Sequence, residues 1–213
     1  MGAKRTITIG RELGSGGSYI GEAVARNLGL RYVDREVLHL AAETLGVRTS
    51  EVVAREGRLT SFWERLLGGI RYGPPDAPYT PPPLREISDK QLFEAETEIM
   101  KQISLKEDCV IVGRAAAHTL PKHPRTINLF FHAPVSYRIK RVIEIYKAPT
   151  PEAARSMIAE SDLMRRRYFA QMTGRDWTDA TNYDLCVDTS FLPLDDTAAL
   201  IVEFINKREA SGC

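Results

Sequence analysis

Cysteine is scarce in this 213-residue chain: Cys109, Cys186 and Cys213 are odd in number and far apart. That fits the reduced thiols of a cytosolic protein better than a disulfide framework, and none of the three is given a catalytic part. Long hydrophobic runs are absent, since no apolar stretch reaches about 18 residues and Ile7-Thr8-Ile9 is too short for the core of a secretion signal. A cytoplasmic protein without membrane contact is expected. Charge of one sign is missing too: 29 Lys plus Arg stand against 28 Asp plus Glu, a formal +1. No global field draws such a chain to nucleic acid or anionic lipid, so any anion site must be local. The four histidines (His39, His118, His123 and His132) have no metal-ligand spacing with the cysteines, and no Ser/His/Asp arrangement can be supported from their order. What is present, 43% hydrophobic and 27% charged residues, is a globular composition at roughly the length of one domain.

The pattern along the chain alternates. Thr6-Ile7-Thr8-Ile9 is a β-branched run that stops at Gly10, and after a glycine-rich stretch Ile20, Val24 and Leu28 recur at helical spacing. The grammar repeats with Leu92, Ala95, Ile99 and Ile103 before Cys109-Val110-Ile111-Val112-Gly113. It returns in the run from Thr126 to Phe131 before Val135, Ile139, Val142 and Ile143, and in Asp184 to Val187 before a helix opened by Asp195 and Asp196. Nearly continuous apolar strands between amphipathic helices predict an α/β fold with a parallel sheet covered on both faces. Right-handed crossovers then gather Gly10, Asp34, Gly113 and His132 at one edge of the sheet, where ligands bind in such folds. Six of the twelve prolines lie between Pro74 and Pro83, which marks 49–87 as an inserted mobile segment, and Pro151 opens a basic helical region, 152–181.

The informative stretch is Gly10-Arg11-Glu12-Leu13-Gly14-Ser15-Gly16-Gly17-Ser18, between the first strand and the first helix. Glycines let backbone N–H groups converge on phosphate, and the helix that follows offers its positive end. Against the ordinary phosphate loop, G-x-x-x-x-G-K-[ST], Gly17 stands where lysine belongs and Ser18 where the magnesium-ligating hydroxyl belongs. The dinucleotide fingerprint fits less well, because its third glycine is misplaced. Arg11, inside the loop, is the candidate for part of the lysine's role, since a guanidinium bridges two phosphate oxygens; the alternative is a surface pair with Glu12. Arg138 and Arg141 share a helix face and form either a phosphate clamp or a solvated basic edge.

These residues resemble a family. Ile7 to Val37, with Gly14-Ser15-Gly16-Gly17 and Tyr32-Val33-Asp34-Arg35-Glu36, together with Val110-Ile111-Val112-Gly113-Arg114 and Tyr183 to Ser190, is similar to the cytidylate kinase-like family of P-loop nucleoside monophosphate kinases. The resemblance implies a P-loop kinase fold over 1–213, with 49–87 as an acceptor-binding insertion and 152–181 as a lid. It implies ATP with Mg2+ as phosphoryl donor and a nucleoside monophosphate, CMP or dCMP first, as acceptor. The nucleotide phosphates would lie on Gly14, Ser15, Gly16, Gly17 and Ser18. Arg114 would hold the acceptor's phosphate and Asp34 the acceptor or a metal-bound water, unless Asp34 caps the helix expected over 35–45. In Asp162-Leu163-Met164-Arg165-Arg166-Arg167-Tyr168, Arg165 and Arg166 would close over the transferred phosphoryl group. Ala115 stands where relatives carry aspartate after Gly-Arg, which leaves open a different small acceptor, and Gly17 leaves open a nucleotide binder without turnover.

Overall fold

β1 (Thr6–Arg11) is the central strand of a five-stranded sheet in a computed structural model that describes residues 4–34, 89–113, 115–121 and 123–211. The expected insertion over 49–87, the helix over 35–45 and Arg114 lie outside the described residues. Chain order runs β1, α1 (Gly17–Leu28), β2 (Arg31–Val33), α2 (Asp89–Lys106), β3 (Cys109–Val112), α3 (Ala116–Thr119) and β4 (Thr126–His132). It continues through α4 (Val135–Tyr146), α5 (Pro151–Thr173), a 3-10 turn at Ala180–Asn182, β5 (Leu185–Asp188) and α6 (Leu194–Ala210).

Strand order is β2-β3-β1-β4-β5, and every pairing is parallel, with Ile7 beside Val110 and Ile127. The chain leaves β1 for the far strand on one side, returns through β3, and then crosses to β4 on the other. The direction of winding therefore reverses around β1, and a crevice opens beyond its carboxyl end. Both faces of the sheet are covered, which is why its central strands lack polar alternation. On one face Ile7, Ile9, Val110, Val112, Leu129 and Phe131 pack against Ile20 and Val24 of α1 and Ile201 and Ile205 of α6. On the other, Met100 and Ile103 of α2 cover Cys109 and Ile111, while Phe130 meets Phe169 of α5 and Trp177 beyond it.

The helix ends follow local chemistry. Gly29, at φ 64°, closes α1 with its N–H on Ala25 O and Arg26 O, the left-handed stop that glycine adopts without strain. Thr150 caps α5 by accepting the Ala153 N–H at 3.1 Å, and Pro151 fills the first helical position, where no N–H is needed.

One buried acid joins two elements. Glu96 of α2 is 1% exposed and accepts from the Tyr168 hydroxyl of α5 at 2.9 Å. Burial pushes its carboxyl up to about 7, against the partial counter-effect of that hydrogen bond. A carboxyl raised above its unfolded value binds its proton more tightly in the folded state, so stability is greatest at low pH and falls as pH rises from about 4.5 toward 7. Melting temperatures across that range should drop in the parent and stay flatter in Glu96→Gln, a difference of order 1–3 kcal/mol. Parallel curves for the two proteins would contradict the assignment.

Candidate active site

The loop between β1 and α1 takes its shape from two glycines in the left-handed region, Gly14 at φ 82° and Gly16 at φ 84°. Space reinforces conformation: a Cβ at Gly14 would lie 2.9 Å from Arg138 O, and one at Gly16 would lie 2.8 Å from the Leu194 methyls. Between them Ser15 is fully buried, its hydroxyl donating to Glu12 O at 2.9 Å. Its carbonyl accepts from the Thr189 hydroxyl at 2.6 Å, which ties the loop to the end of β5.

Gly17 is neither a turn residue nor left-handed; it is the first residue of α1. Its reason is crowding. A Cβ there would lie 2.7 Å from Arg11 Cβ and 3.1 Å from Phe131 Cβ. Arg11 thus fills the space from which a loop lysine would start. Its Nε donates to Ser18 Oγ at 3.3 Å, and its Nη2 pairs with Asp34 Oδ1 at 3.6 Å. Gly113, at φ 83°, makes room for the other end of the same group, since a Cβ there would lie 2.5 Å from Arg11 Nη1. Two glycines from different parts of the fold therefore make room for one arginine side chain, Gly17 at its Cβ and Gly113 at its guanidinium. Tyr32 completes the cluster, its hydroxyl within 3.3 Å of Ser18 O and 3.4 Å of Asp34 Oδ2. Burial, with the negative charge of Asp34 next, pushes that phenol well above its ordinary range.

Beside this cluster lies a pocket floored by Thr8, Ile9 and Gly10 and walled by Tyr168, Trp177 and Tyr183, with Arg11 and Arg165 both on its lining. The aromatic wall is fixed from within. Trp177 meets Phe130 edge-on at 5.4 Å, and the Tyr183 hydroxyl donates to Trp177 O at 2.9 Å. Gly10 is required beneath it, because a Cβ would lie 2.9 Å from the Phe130 ring. The cations make the electrostatics: burial first and then the charge of Arg11 push Arg165 down to about 9. Two desolvated like charges at one pocket favour an anion between them.

The expected site residues divide accordingly. Gly14 to Ser18, Arg11, Asp34 and Arg165 converge at the carboxyl end of β1. Arg166 does not join them; it is exposed and lies near Asp176, away from the pocket. Arg138 is not on the pocket lining either. It is buried beneath the loop, where its Nη1 donates to Leu13 O at 3.2 Å and to Asp162 Oδ2 at 2.5 Å. Arg141, one turn along, is half-buried and equally absent from the lining. The sequence reading gave Asp162, Glu12 and Tyr183 no site role. For Asp162 the signal was available, because a carboxylate three residues before Arg165 shares its helix face.

A divalent cation can be tested against this donor set. Ser18 Oγ and the Asp34 carboxylate are oxygen donors, and both lie within hydrogen-bond range of Tyr32 or Arg11. Magnesium takes one or two protein oxygens and completes its shell with phosphate and water, so the residues fit it. Among the described residues no group of three or more His, Cys, Asp or Glu forms a cage of its own.

A glycine loop joining the central strand of a 2-3-1-4-5 parallel sheet to a helix, with arginines opposite, defines a P-loop kinase fold. The sequence model of the cytidylate kinase-like family matches residues 6–191, and the chain belongs to that family. A cytidylate kinase of Pyrococcus furiosus is 29% identical over 114 residues, which are 53% of this chain and 58% of that protein. The match thus spans little more than half the length of the curated relative. Among solved structures, an uncharacterized protein from Eubacterium ventriosum superposes with a TM-score of 0.68 at 21% identity, covering 95% of this chain and 99% of that one. A gluconokinase from Sinorhizobium meliloti (TM-score 0.51, 15% identity, 97% and 94% covered) shares the fold. So does a shikimate kinase from Bacteroides thetaiotaomicron (TM-score 0.51, 12% identity, 95% and 98% covered).

Proposed function

We propose that this protein transfers the γ-phosphoryl group of ATP to a small phosphorylated acceptor, a nucleoside monophosphate with CMP or dCMP first. The observation that carries the reading is the convergence of Arg11 and Arg165 on one pocket beside the glycine loop. Phosphoryl transfer needs positioning and cations where charge spreads over the moving group, and little covalent help. The loop from Gly14 to Ser18 and the start of α1 hold the donor's phosphates, the N–H groups of Ser15 and Gly17 being turned to Glu12 O at 3.3 Å and Ser15 Oγ at 3.4 Å. Arg11, held by Asp34 and Ser18, faces the phosphates in place of the absent lysine, and Arg165 faces them from α5. Ser18 Oγ, on its remaining lone pair, and Asp34 Oδ2, the carboxylate oxygen that Arg11 does not pair with, would hold magnesium, which when bound would neutralise charge on the donor's phosphate oxygens. The pocket walled by Tyr168, Trp177 and Tyr183 takes the acceptor and keeps water from competing for the phosphoryl group. Arg114, outside the described residues, is assigned to the acceptor's phosphate by the family resemblance. We assign the protein to the cytoplasm on its cysteine usage, and no described helix is long and apolar enough to cross a membrane.

The test is coupled ADP formation with Mg·ATP against a panel of nucleoside monophosphates, small hydroxy acids and a no-acceptor control, with Ser18→Ala alongside. CMP- or dCMP-dependent turnover lost in the variant is the expected result. Preference for a hydroxy acid would keep the transferase and change the acceptor, in line with Ala115. ATP binding without ADP under any acceptor would reject catalysis.

A further inference from the structure

The buried side chains beneath the loop form a charge chain of which the proposed function uses only Arg165. Asp162 of α5 accepts the Leu13 N–H on Oδ1 at 3.0 Å and Arg138 Nη1 on Oδ2 at 2.5 Å. Arg138 Nε lies 3.4 Å from Glu12 Oε2, an oxygen that also accepts the Ala133 N–H at 3.2 Å. Further along α5, Arg165 Nη1 donates to Ser161 Oγ at 2.6 Å and reaches Asp162 Oδ1 at 3.5 Å. Two acids and two bases alternate, Glu12, Arg138, Asp162 and Arg165, so the chain is neutral as a whole. None of their side chains is more than 20% exposed. Charges removed from water in this way depend on one another, because removing one leaves its neighbours buried and unpaired.

The placement matters because Leu13 belongs to the phosphate loop. Its N–H is turned away from any ligand and spent on a carboxylate of α5, and its side chain packs with Val142, Ala154 and Ile158 between α4 and α5. Helix α5 is therefore rooted on the loop at Asp162, and Arg165 extends from that root less than one turn further on. We propose that Asp162 is a positioning residue: it fixes Arg165 relative to the phosphate loop, so that a nucleotide seated on the loop meets this arginine at a set distance. This inference rests on the kinase reading and adds to it that the root of the lid-like helix does not swing freely. Ser161 aims the guanidinium and Asp162 anchors its helix. Asp162 itself touches no substrate.

The experiment is a double-mutant cycle on the full chain, with Asp162→Asn, Arg165→Ala and both together. Turnover is measured with Mg·ATP and the best acceptor, and affinity with Mg and a non-hydrolysable ATP analogue by calorimetry. Asp162→Asn should lower kcat on the order of 30-fold, the scale of an arginine misplaced by about 1 Å, while leaving the acceptor KM within about twofold. Arg165→Ala should cost a similar factor, and the double variant should be no worse than the poorer single within about threefold, because both remove one arrangement. A double variant that loses the product of the two single factors would overturn the inference, as would unchanged kcat in Asp162→Asn. If Asp162→Asn does not fold, Ser161→Ala replaces it in the same cycle, with the same two outcomes and a smaller factor, roughly three- to tenfold. Wild-type protein that neither binds the analogue nor turns over would reject the kinase reading and this inference together. An active wild type with additive variants would reject this inference alone.

Discussion

Arg11→Ala should lower turnover about 10³-fold, the loss expected when one preorganised cation or donor is withdrawn from a phosphoryl or oxyanion site. Stability should hardly move. The ion pair it removes, Arg11 with Asp34, spans 3.6 Å, longer than a hydrogen bond, and its loss is offset by relief of the like charge on Arg165, so the change should stay on the order of 1 kcal/mol. Rate and stability therefore separate, and that separation distinguishes a group acting on substrate from one that only packs. The measurement is steady-state kinetics and thermal melting on the same preparations, with Arg11→Lys as the graded control. Lysine keeps the charge and loses the fork that touches Ser18 and Asp34 together, so it should recover part of the rate. A kcat within a few fold of wild type in Arg11→Ala would remove Arg11 from the chemistry and leave Arg165 to act without it.

How far this arrangement could be read from residues alone depended on the range of each signal. Strands such as Cys109 to Val112 and helices such as α1 were legible because burial imposes a period on a few neighbouring positions, and β3 and β4 lie where the apolar runs predicted. The glycine loop was legible because backbone geometry restricts residue type locally, and Gly14 and Gly16 are in fact left-handed. Arg138 was not legible. Helical spacing puts it with Arg141 on one face, but the partners that bury it, Glu12 and Asp162, come from β1's loop and from α5. Arg165 and Arg166 differ for the same reason, adjacent in sequence yet about 100° apart around the helix, one lining the pocket and the other exposed near Asp176. Only the packing of α5 on α4 decides which of them turns inward. The missing loop lysine likewise had no local explanation, because the atoms that crowd Gly17 belong to Arg11 and to Phe131 of β4.

Gly17→Lys, which restores the ordinary loop sequence, should therefore destabilise the protein. Glycine is a poor helix former, so replacing it at the start of α1 should by itself gain up to about 1 kcal/mol. The added Cβ, however, would meet Arg11 Cβ at 2.7 Å and Phe131 Cβ at 3.1 Å, and neither is the far end of a flexible chain. Overpacking of this kind costs about 1–3 kcal/mol, so the net effect should be a melting temperature lower by several degrees, with turnover reduced as Arg11 is displaced. The second substitution tells the cause. Arg11→Gly removes both the obstructing Cβ and the competing cation at the cost of about 1 kcal/mol for glycine in a strand. Arg11→Gly/Gly17→Lys should melt above Gly17→Lys alone and turn over faster than Arg11→Gly alone, because a lysine then reaches the phosphates along the path that Arg11 vacates. If Gly17→Lys is as stable and active as the parent, the two positions do not exclude one another, and crowding is not why glycine stands there. If the pair is rescued, lysine and arginine are two solutions to one electrostatic requirement, each compatible with only one of the two residues at position 17.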